Sequence, residues 1–354
     1  MFAQAHSPPT LLPQELDAYL EQGWFRMGQT IFTTNFLNFK NQFYSSLWLR
    51  IVLESFHTDQ KQKKIFKINA GFRSEIKKAS INPEQEALFR KYKEGISFEA
   101  SASLNHLLFG TAAHSIYNTF EVNIFDGDKL IALGFFDIGD TSAAGISSFY
   151  DPAYKKYSLG KYLIYLKIDH CKTRGLRYFY PGYFAPGYSL FDYKLEIGKS
   201  ALQYLQFSSC RWLPIKSFSR ELTPLQIMHD KLSSLQHALT QSNIPSRVLK
   251  YEFFDANLIP ELKGADLFDF PLFLCFTKCM EEDVNQLIVY DVRGECYRLI
   301  RCFGVLKTNV INKSVDFYSS FALKVEQDLF STTKLEELLN IVLIETKHQE
   351  SSFI

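Results

Sequence analysis

The chemistry-bearing residues cluster between positions 137 and 194, with a second group at 57–78. Leu159, Tyr162, Leu163 and Leu166 repeat at i, i+3, i+4 and i+7, so the spacing predicts a helix over 159–174. Ser158 stands at its N-cap and Gly175 just past its end. The first N–H groups of a helix lack partners within it and carry the positive end of its dipole. The start Ser158-Leu159-Gly160, led in by Tyr154–Tyr157, is therefore a place where phosphate oxygens can sit. In 57–78, Lys61, Lys63, Lys64, Lys67, Arg73, Lys77 and Lys78 face only Asp59 and Glu75. Cations spaced along a strand or turn can track a nucleic-acid backbone. Each pattern also has a plain structural counterpart, a capped helix and a lysine-rich solvated edge.

The elements around these residues come in a definite order. A strand near 72–79 is followed by a helix over 82–96 and a short helix near 103–109. Strands over 120–125 and 129–138 flank the turn Asp126-Gly127-Asp128, and a third covers 145–150. After the 159–174 helix, a strand over 176–180 is expected to end at Pro181-Gly182. The order β-α-α-β-β-β-α-β is that of a GCN5-related N-acyltransferase-like (GNAT-like) α+β domain. We place it at 65–215, between an N-terminal lobe (1–64) and an additional C-terminal α+β lobe (216–354). Residues 1–20, with Pro8, Pro9 and Pro13, read as a loosely ordered lead-in. The C-terminal lobe offers a helix over 222–242, a strand in FPLFLCFT, a hairpin turning near Arg293-Gly294 and a final helix in TKLEELLNIVLI.

Composition narrows the class. A net charge of +1 excludes a generally basic surface, so any RNA contact must be a local patch. No apolar run approaches the ~20 residues that span a bilayer and the N-terminus lacks a leader pattern, so a cytoplasmic protein without membrane contact is expected. The six cysteines lack a disulfide rhythm, which favours reduced thiols. Cys275 and Cys279 lie in an apolar run that favours burial over zinc, and no metal site is assigned. His106, His114 and His170 fit surface or helix positions better than a general base.

Residues 135–194 resemble the arginyl- and leucyl-tRNA–protein transferase family. The matching positions are Asp137, Tyr150-Asp151-Pro152, Ser158-Leu159-Gly160 with Tyr162, Gly175-Leu176 with Tyr178, Gly182-Tyr183, and Tyr193-Lys194. Weaker matches upstream are Gly23-Trp24 with Arg26 and Gly28, Arg50, and Lys61-Gln62-Lys63-Lys64 with Asn69. The resemblance extends over about residues 20–210.

It implies attack by a protein's N-terminal amine on the ester of aminoacyl-tRNA, which releases tRNA and forms a peptide bond. Such an ester needs positioning, proton removal and oxyanion stabilisation, and no cofactor. On this reading Asp137 holds the amine or accepts its proton, and Tyr183, Tyr193 and Lys194 donate to the ester oxygen or the tRNA 3′ end. Ser158, Leu159, Gly160 and Tyr162 form the donor phosphate site, and Arg26, Arg50, Lys61, Lys63, Lys64 and Lys67 the tRNA contacts.

Two departures keep other readings open. The family's N-terminal cysteine cluster is absent from FTTNFLNFKNQFYSSLWLR, and Leu190-Phe191 stands where relatives have Lys-Met. A binding protein that kept the fold without the chemistry is one alternative, and an N-acyltransferase using acyl-CoA is another. The sequence leaves the oligomeric state open.

Overall fold

A computed structural model describes residues 1–96, 100–262, 264–276, 284–307 and 316–351. The N-terminal stretch holds β1 (Ala3–His6), α1 (Pro13–Glu21), β2 (Phe25–Met27), β3 (Thr30–Thr34), β4 (Phe36–Phe39), β5 (Gln42–Ser45), β6 (Leu47–Val52) and α2 (Gln60–Ile68). The expected lead-in is ordered: β1 pairs antiparallel with β3, and α1 starts on Pro13, whose missing N–H costs nothing at a first helical position. The basic stretch is also corrected. Its four leading lysines lie on α2, a helix capped by the Asp59 carboxylate accepting from the Gln62 N–H at 2.7 Å.

Next come β7 (Arg73–Lys78), α3 (Pro83–Glu94), α4 (Leu104–Phe109), β8 (Thr119–Asp126), β9 (Lys129–Ile138), β10 (Ser142–Tyr150), α5 (Leu159–Thr173), β11 (Tyr178–Phe184), β12 (Leu202–Gln206) and β13 (Arg211–Pro214). Eight strands form one sheet in the order β13-β12-β6-β11-β10-β9-β8-β7. From β7 to β11 the chain follows the GCN5-related acyltransferase order. Strand β6, from the stretch read as an N-terminal lobe, is inserted between β11 and β12, antiparallel to both.

Both faces of the sheet are covered, so nine of the ten residues of β9 are buried. On one face lie α5 and α2, packed on Leu49, Ile51, Val122, Ala132 and Phe136. On the other, α3 and α4 cover Leu133, Phe135 and Phe149, while α1 with β2 and β3 covers Trp48, Ala144 and Tyr180.

Strands β10 and β11 are parallel but pair only at Ser142–Ala144 with Tyr178–Tyr180. Beyond that point β10 bulges between Gly145 and Ser147 and stays with β9. β11 bulges between Phe179 and Gly182 and stays with β6. The two strands therefore splay apart. The strand expected to stop at Pro181-Gly182 instead runs through them to Phe184, because the bulge absorbs Pro181's missing N–H and Gly182's φ of +88°.

The Lys167 side chain, 1% exposed, reaches from α5 to the β10 bulge. It donates to the Ser147 carbonyl (2.7 Å), the Phe135 carbonyl (2.9 Å) and Ser148 Oγ (3.1 Å). Burial brings its amine down to about 7. Gly134 makes room for it, since a Cβ there would sit 2.8 Å from Lys167 Nζ and 3.0 Å from the Ser147 carbonyl. Gly134→Ala should therefore cost about 1–3 kcal/mol in urea unfolding, the usual effect of overpacking. An unchanged midpoint would show that the amine can move aside.

The C-terminal residues form α6 (Pro224–Gln241), β14 (Arg247–Tyr251), β15 (Leu272–Cys275), β16 (Val284–Asp291), β17 (Cys296–Lys307), β18 (Phe317–Tyr318), β19 (Phe321–Thr332) and α7 (Leu335–Ser351). Six of these are strands of a second sheet, ordered β18-β14-β15-β16-β17-β19, with its own core that also takes in Phe2 and Phe36. Cys275 is disulfide-bonded, which corrects the expectation of reduced thiols at that position. Cys279 lies outside the described residues. No helix among the described residues is long and apolar enough to cross a membrane.

Candidate active site at the strand splay

Helix α5 starts where β10 ends, so the splay opens beside its N-terminus. Ser158 occupies the N-cap position with φ +54° and makes no side-chain cap bond. The predicted serine cap is thus corrected. In that left-handed conformation the hydroxyl does not take up the N–H groups of the first turn; the Lys161 N–H donates to the Ser158 carbonyl at 3.1 Å, and those of Leu159 and Gly160 stand at the open end. Leu159 and Tyr162 are core residues, with Tyr162 edge-on to Phe66 of α2 at 5.2 Å, so only backbone is offered there. A Cβ on Gly160 would meet just the Tyr150 ring at 3.7 Å, an ordinary contact. Packing does not demand glycine at 160, and its bare backbone suits the close approach of a ligand.

The turn between β10 and α5 is fixed by Asp151. Burial works against its charge, yet hydrogen bonds from Lys91 (2.8 Å), Lys129 (3.0 Å) and the Ala153 N–H (3.0 Å) bring its carboxyl down to about 2. Asn69, at the end of α2, donates to the Tyr157 carbonyl at 3.0 Å and ties α2 to the same turn.

Tyr183, Tyr193 and Lys194 come together on the β11 side. The Lys194 amine donates to the Tyr183 carbonyl at 2.7 Å and lies 5.3 and 4.9 Å from the Tyr183 and Phe191 rings. It has no carboxylate partner within 4 Å among the described residues, and burial lowers it to about 7. Gly182 is required here twice, by its positive φ and because a Cβ would stand 3.3 Å from Lys194 Nζ. Tyr193 is 38% exposed. Burial, helped by nearby Tyr92, nevertheless pushes its phenol up to about 12. Tyr92 of α3, close to Tyr193, stands 5.9 Å from Tyr150. The sequence reading missed Tyr92 because it continues the core stripe of Leu88 and Phe89.

Asp137 and Arg26 lie apart from this cluster and pair with each other. Asp137, 1% exposed, accepts from Arg26 at 2.9 Å and from Thr119 Oγ1 at 2.7 Å. Burial pushes its carboxyl upward, against the pull of Arg26 and Thr119. Arg26 also donates to the carbonyls of Gly28 (2.7 Å) and Leu108 and covers the Tyr117 ring. Arg50 points from β6 into the face opposite α5, between the rings of Tyr178 and Trp212. The exposed lysines 61, 63, 64 and 67 lie on α2, on the α5 face. Lys61 and Lys161 of α5's first turn share Glu196, at 3.9 and 2.9 Å.

His106 and His114 are exposed. His170 is held between Phe120 and Phe136, and burial, with Arg174, lowers its basicity.

A family model described as Arginine-tRNA-protein transferase, C terminus, matches residues 84–204, the stretch that carries α3, the splay and Lys194. Aspartate/glutamate leucyltransferase of Leptospira interrogans is 25% identical over 218 residues, 60% of this chain and 83% of that protein. The protein of the same name from Paracoccus denitrificans is 29% identical over 215 residues, 56% of this chain and 73% of that one. Over these stretches the chain is similar to aminoacyl-tRNA–protein transferases. Among solved structures, the L-PGS of Bacillus licheniformis shares a TM-score of 0.30 and 12% identity, covering 48% of this chain and 50% of that one. The ribosomal-protein-S18-alanine N-acetyltransferase of Escherichia coli shares a TM-score of 0.23 and 19% identity, covering 29% and 63%. The family match spans both walls of the splay but stops short of the C-terminal sheet.

Proposed function

We propose that this chain transfers an amino acid of the arginine or leucine class from aminoacyl-tRNA to the N-terminal amine of a protein. The observation that carries the reading is the splay itself: an uncapped helix start on one side and a buried, carboxylate-free lysine on the other, within the stretch matched by the family. The donor's terminal phosphates approach the first turn of α5, and the exposed lysines of α2 follow the acceptor arm on the same face. Lys194, with an amine basicity near neutrality, takes the proton from the acceptor's ammonium. The nitrogen then attacks the ester carbon, and the tRNA 3′ oxygen leaves with a proton. The Tyr193 hydroxyl, kept protonated by burial, serves the developing oxyanion. Asp137, closed in its pair with Arg26, positions the β9 edge of the site and does not meet the amine. Charged tRNA as donor fits action in the cytoplasm.

The test is transfer of labelled amino acid from a pool of charged tRNA to free N-terminal peptides. Label appearing on the peptide amine supports the reading, and it also identifies the amino acid. A folded protein that transfers none overturns it. Replacing Lys61, Lys63, Lys64 and Lys67 by Gln should raise the KM for charged tRNA and reduce the log–log salt slope by about one for each phosphate no longer neutralised. The peptide KM should stay unchanged. An unaltered tRNA KM would remove α2 from the RNA surface.

A further inference from the structure

Lys167 is a charge placed where packing does not call for one. It stands in α5 in the column Leu159, Leu163, Lys167, Cys171, and the other three are part of the apolar core beneath the sheet. A leucine at 167 would continue that column. Instead three N–H groups go to three uncharged oxygens, the carbonyls of Ser147 and Phe135 and Ser148 Oγ. Burying an ammonium is costly, and neutral acceptors offset only part of the cost. Position 134 is given over to the same amine, since a Cβ on Gly134 would stand 2.8 Å from it.

The register shows what the amine holds. Gly145 pairs with Phe136 and Ser147 with Phe135, neighbours on β9, so Ile146 is the extra residue of the β10 bulge. The Ser147 and Phe135 carbonyls belong to the first pair after it. β11 has left by then, its last partner on β10 being Ala144. From Ser147 to Tyr150 the strand is held by β9 along one edge, and its other edge borders the splay. That stretch ends at Tyr150, whose ring stands beside Gly160 at the start of α5. Lys167 therefore ties the middle of α5 to the strand segment that leads into the same helix, across the turn fixed by Asp151. Bulges next to active sites commonly re-aim a strand in this way.

We infer that Lys167 is a positioning residue of the transfer: it clamps the first backbone pair after the bulge and so fixes the free edge of β10, Ser147 to Tyr150, as one wall of the site. The inference rests on the proposed transfer and adds to it a residue that touches neither substrate. The donor's phosphates lie at the start of α5 and its ester lies in the splay, so the distance between helix start and strand edge decides how the ester meets the attacking amine. With the clamp closed, α5 and the β10 wall behave as one body. An apolar side chain at 167 would fill the space but leave that distance to the bulge alone.

The measurement is kcat and KM of transfer for Lys167→Met in the full chain, with each substrate varied in turn, beside urea unfolding of the same variant. kcat should fall about 10–10²-fold while both KM values stay within about two-fold, because the clamp sets the alignment of the reacting atoms and leaves the binding surfaces alone. Lys167→Gln, whose amide can donate to both carbonyls, should keep most of the wild-type kcat. Leu163→Ala, which opens the same column without touching the clamp, should lose stability and keep kcat. A folded Lys167→Met with wild-type kcat overturns the inference. So does a glutamine variant as slow as the methionine one, or a Leu163→Ala that is slowed as much at equal loss of stability. If Lys167→Met does not fold, Gly134→Ala decides, since it crowds the same amine from β9, and a wild-type kcat there overturns the inference. Amide hydrogen exchange over residues 145–150, read without substrates, should quicken in Lys167→Met relative to β8. Unchanged exchange overturns the clamp, whereas quickened exchange in a chain whose wild type transfers nothing leaves the clamp standing and counts against the proposed reaction.

Discussion

Lys194→Met should lower kcat/KM for transfer by about 10²–10⁴-fold, the range supplied by a positioned general base. The Lys194 amine falls to about 7 through burial. Wild-type kcat/KM should accordingly rise with pH through about 7, as the amine loses its proton and becomes able to take one. Lys194→Arg should be as inactive as the methionine variant, since guanidinium stays charged. The same group gives a stability signature whose sign can be worked out. Its folded value lies below the ordinary 10.5, so between about 7 and 10.5 the unfolded chain binds more protons and stability increases with pH. Below about 7 the lysine is charged in both states and the full burial cost is felt. Lys194→Met should flatten that slope by up to about 1.4 kcal/mol per pH unit. A methionine variant with full activity, or a pH–rate profile flat from 6 to 8, would remove Lys194 from the proton transfer.

Breaking the Arg26–Asp137 pair should have a comparable effect on a different quantity. Both side chains are at most 5% exposed, so Arg26→Ala or Asp137→Ala leaves an uncompensated buried charge and should cost about 3–5 kcal/mol in urea unfolding. The double replacement Arg26→Met with Asp137→Leu should recover a good part of that loss. If Asp137→Ala unfolded at the wild-type midpoint but transferred nothing, Asp137 would be the amine-binding group after all.

Local patterns were legible in the sequence and distant ones were not. The turn Asp126-Gly127-Asp128 and the helix 159–173 follow from chain neighbours alone, through φ-tolerant residues and a 3.6-residue repeat. Lys167 had a readable signal that went unused. It sits in the column Leu159, Leu163, Lys167, Cys171, every fourth residue on the buried face of α5. A lysine in an apolar column needs acceptors, and the β10 bulge supplies them. Ser158 was misread because a good capping residue type does not dictate its own φ and ψ. Asp137 was placed on the right strand, but nothing local indicated that Arg26, 111 positions earlier, would neutralise it.

The insertion of β6 between β11 and β12 bears on how the molecule is made. Residues 47–52 leave the ribosome long before their neighbours at 178–184 and 202–206, so the centre of the sheet closes only across a loop of more than a hundred residues. Until then the strand and its apolar side chains wait unpaired, and folding should be slow and limited by that closure. A fragment starting at residue 65 would leave open edges on β11 and β12 beside the splay. It would aggregate through them rather than fold as an independent catalytic unit.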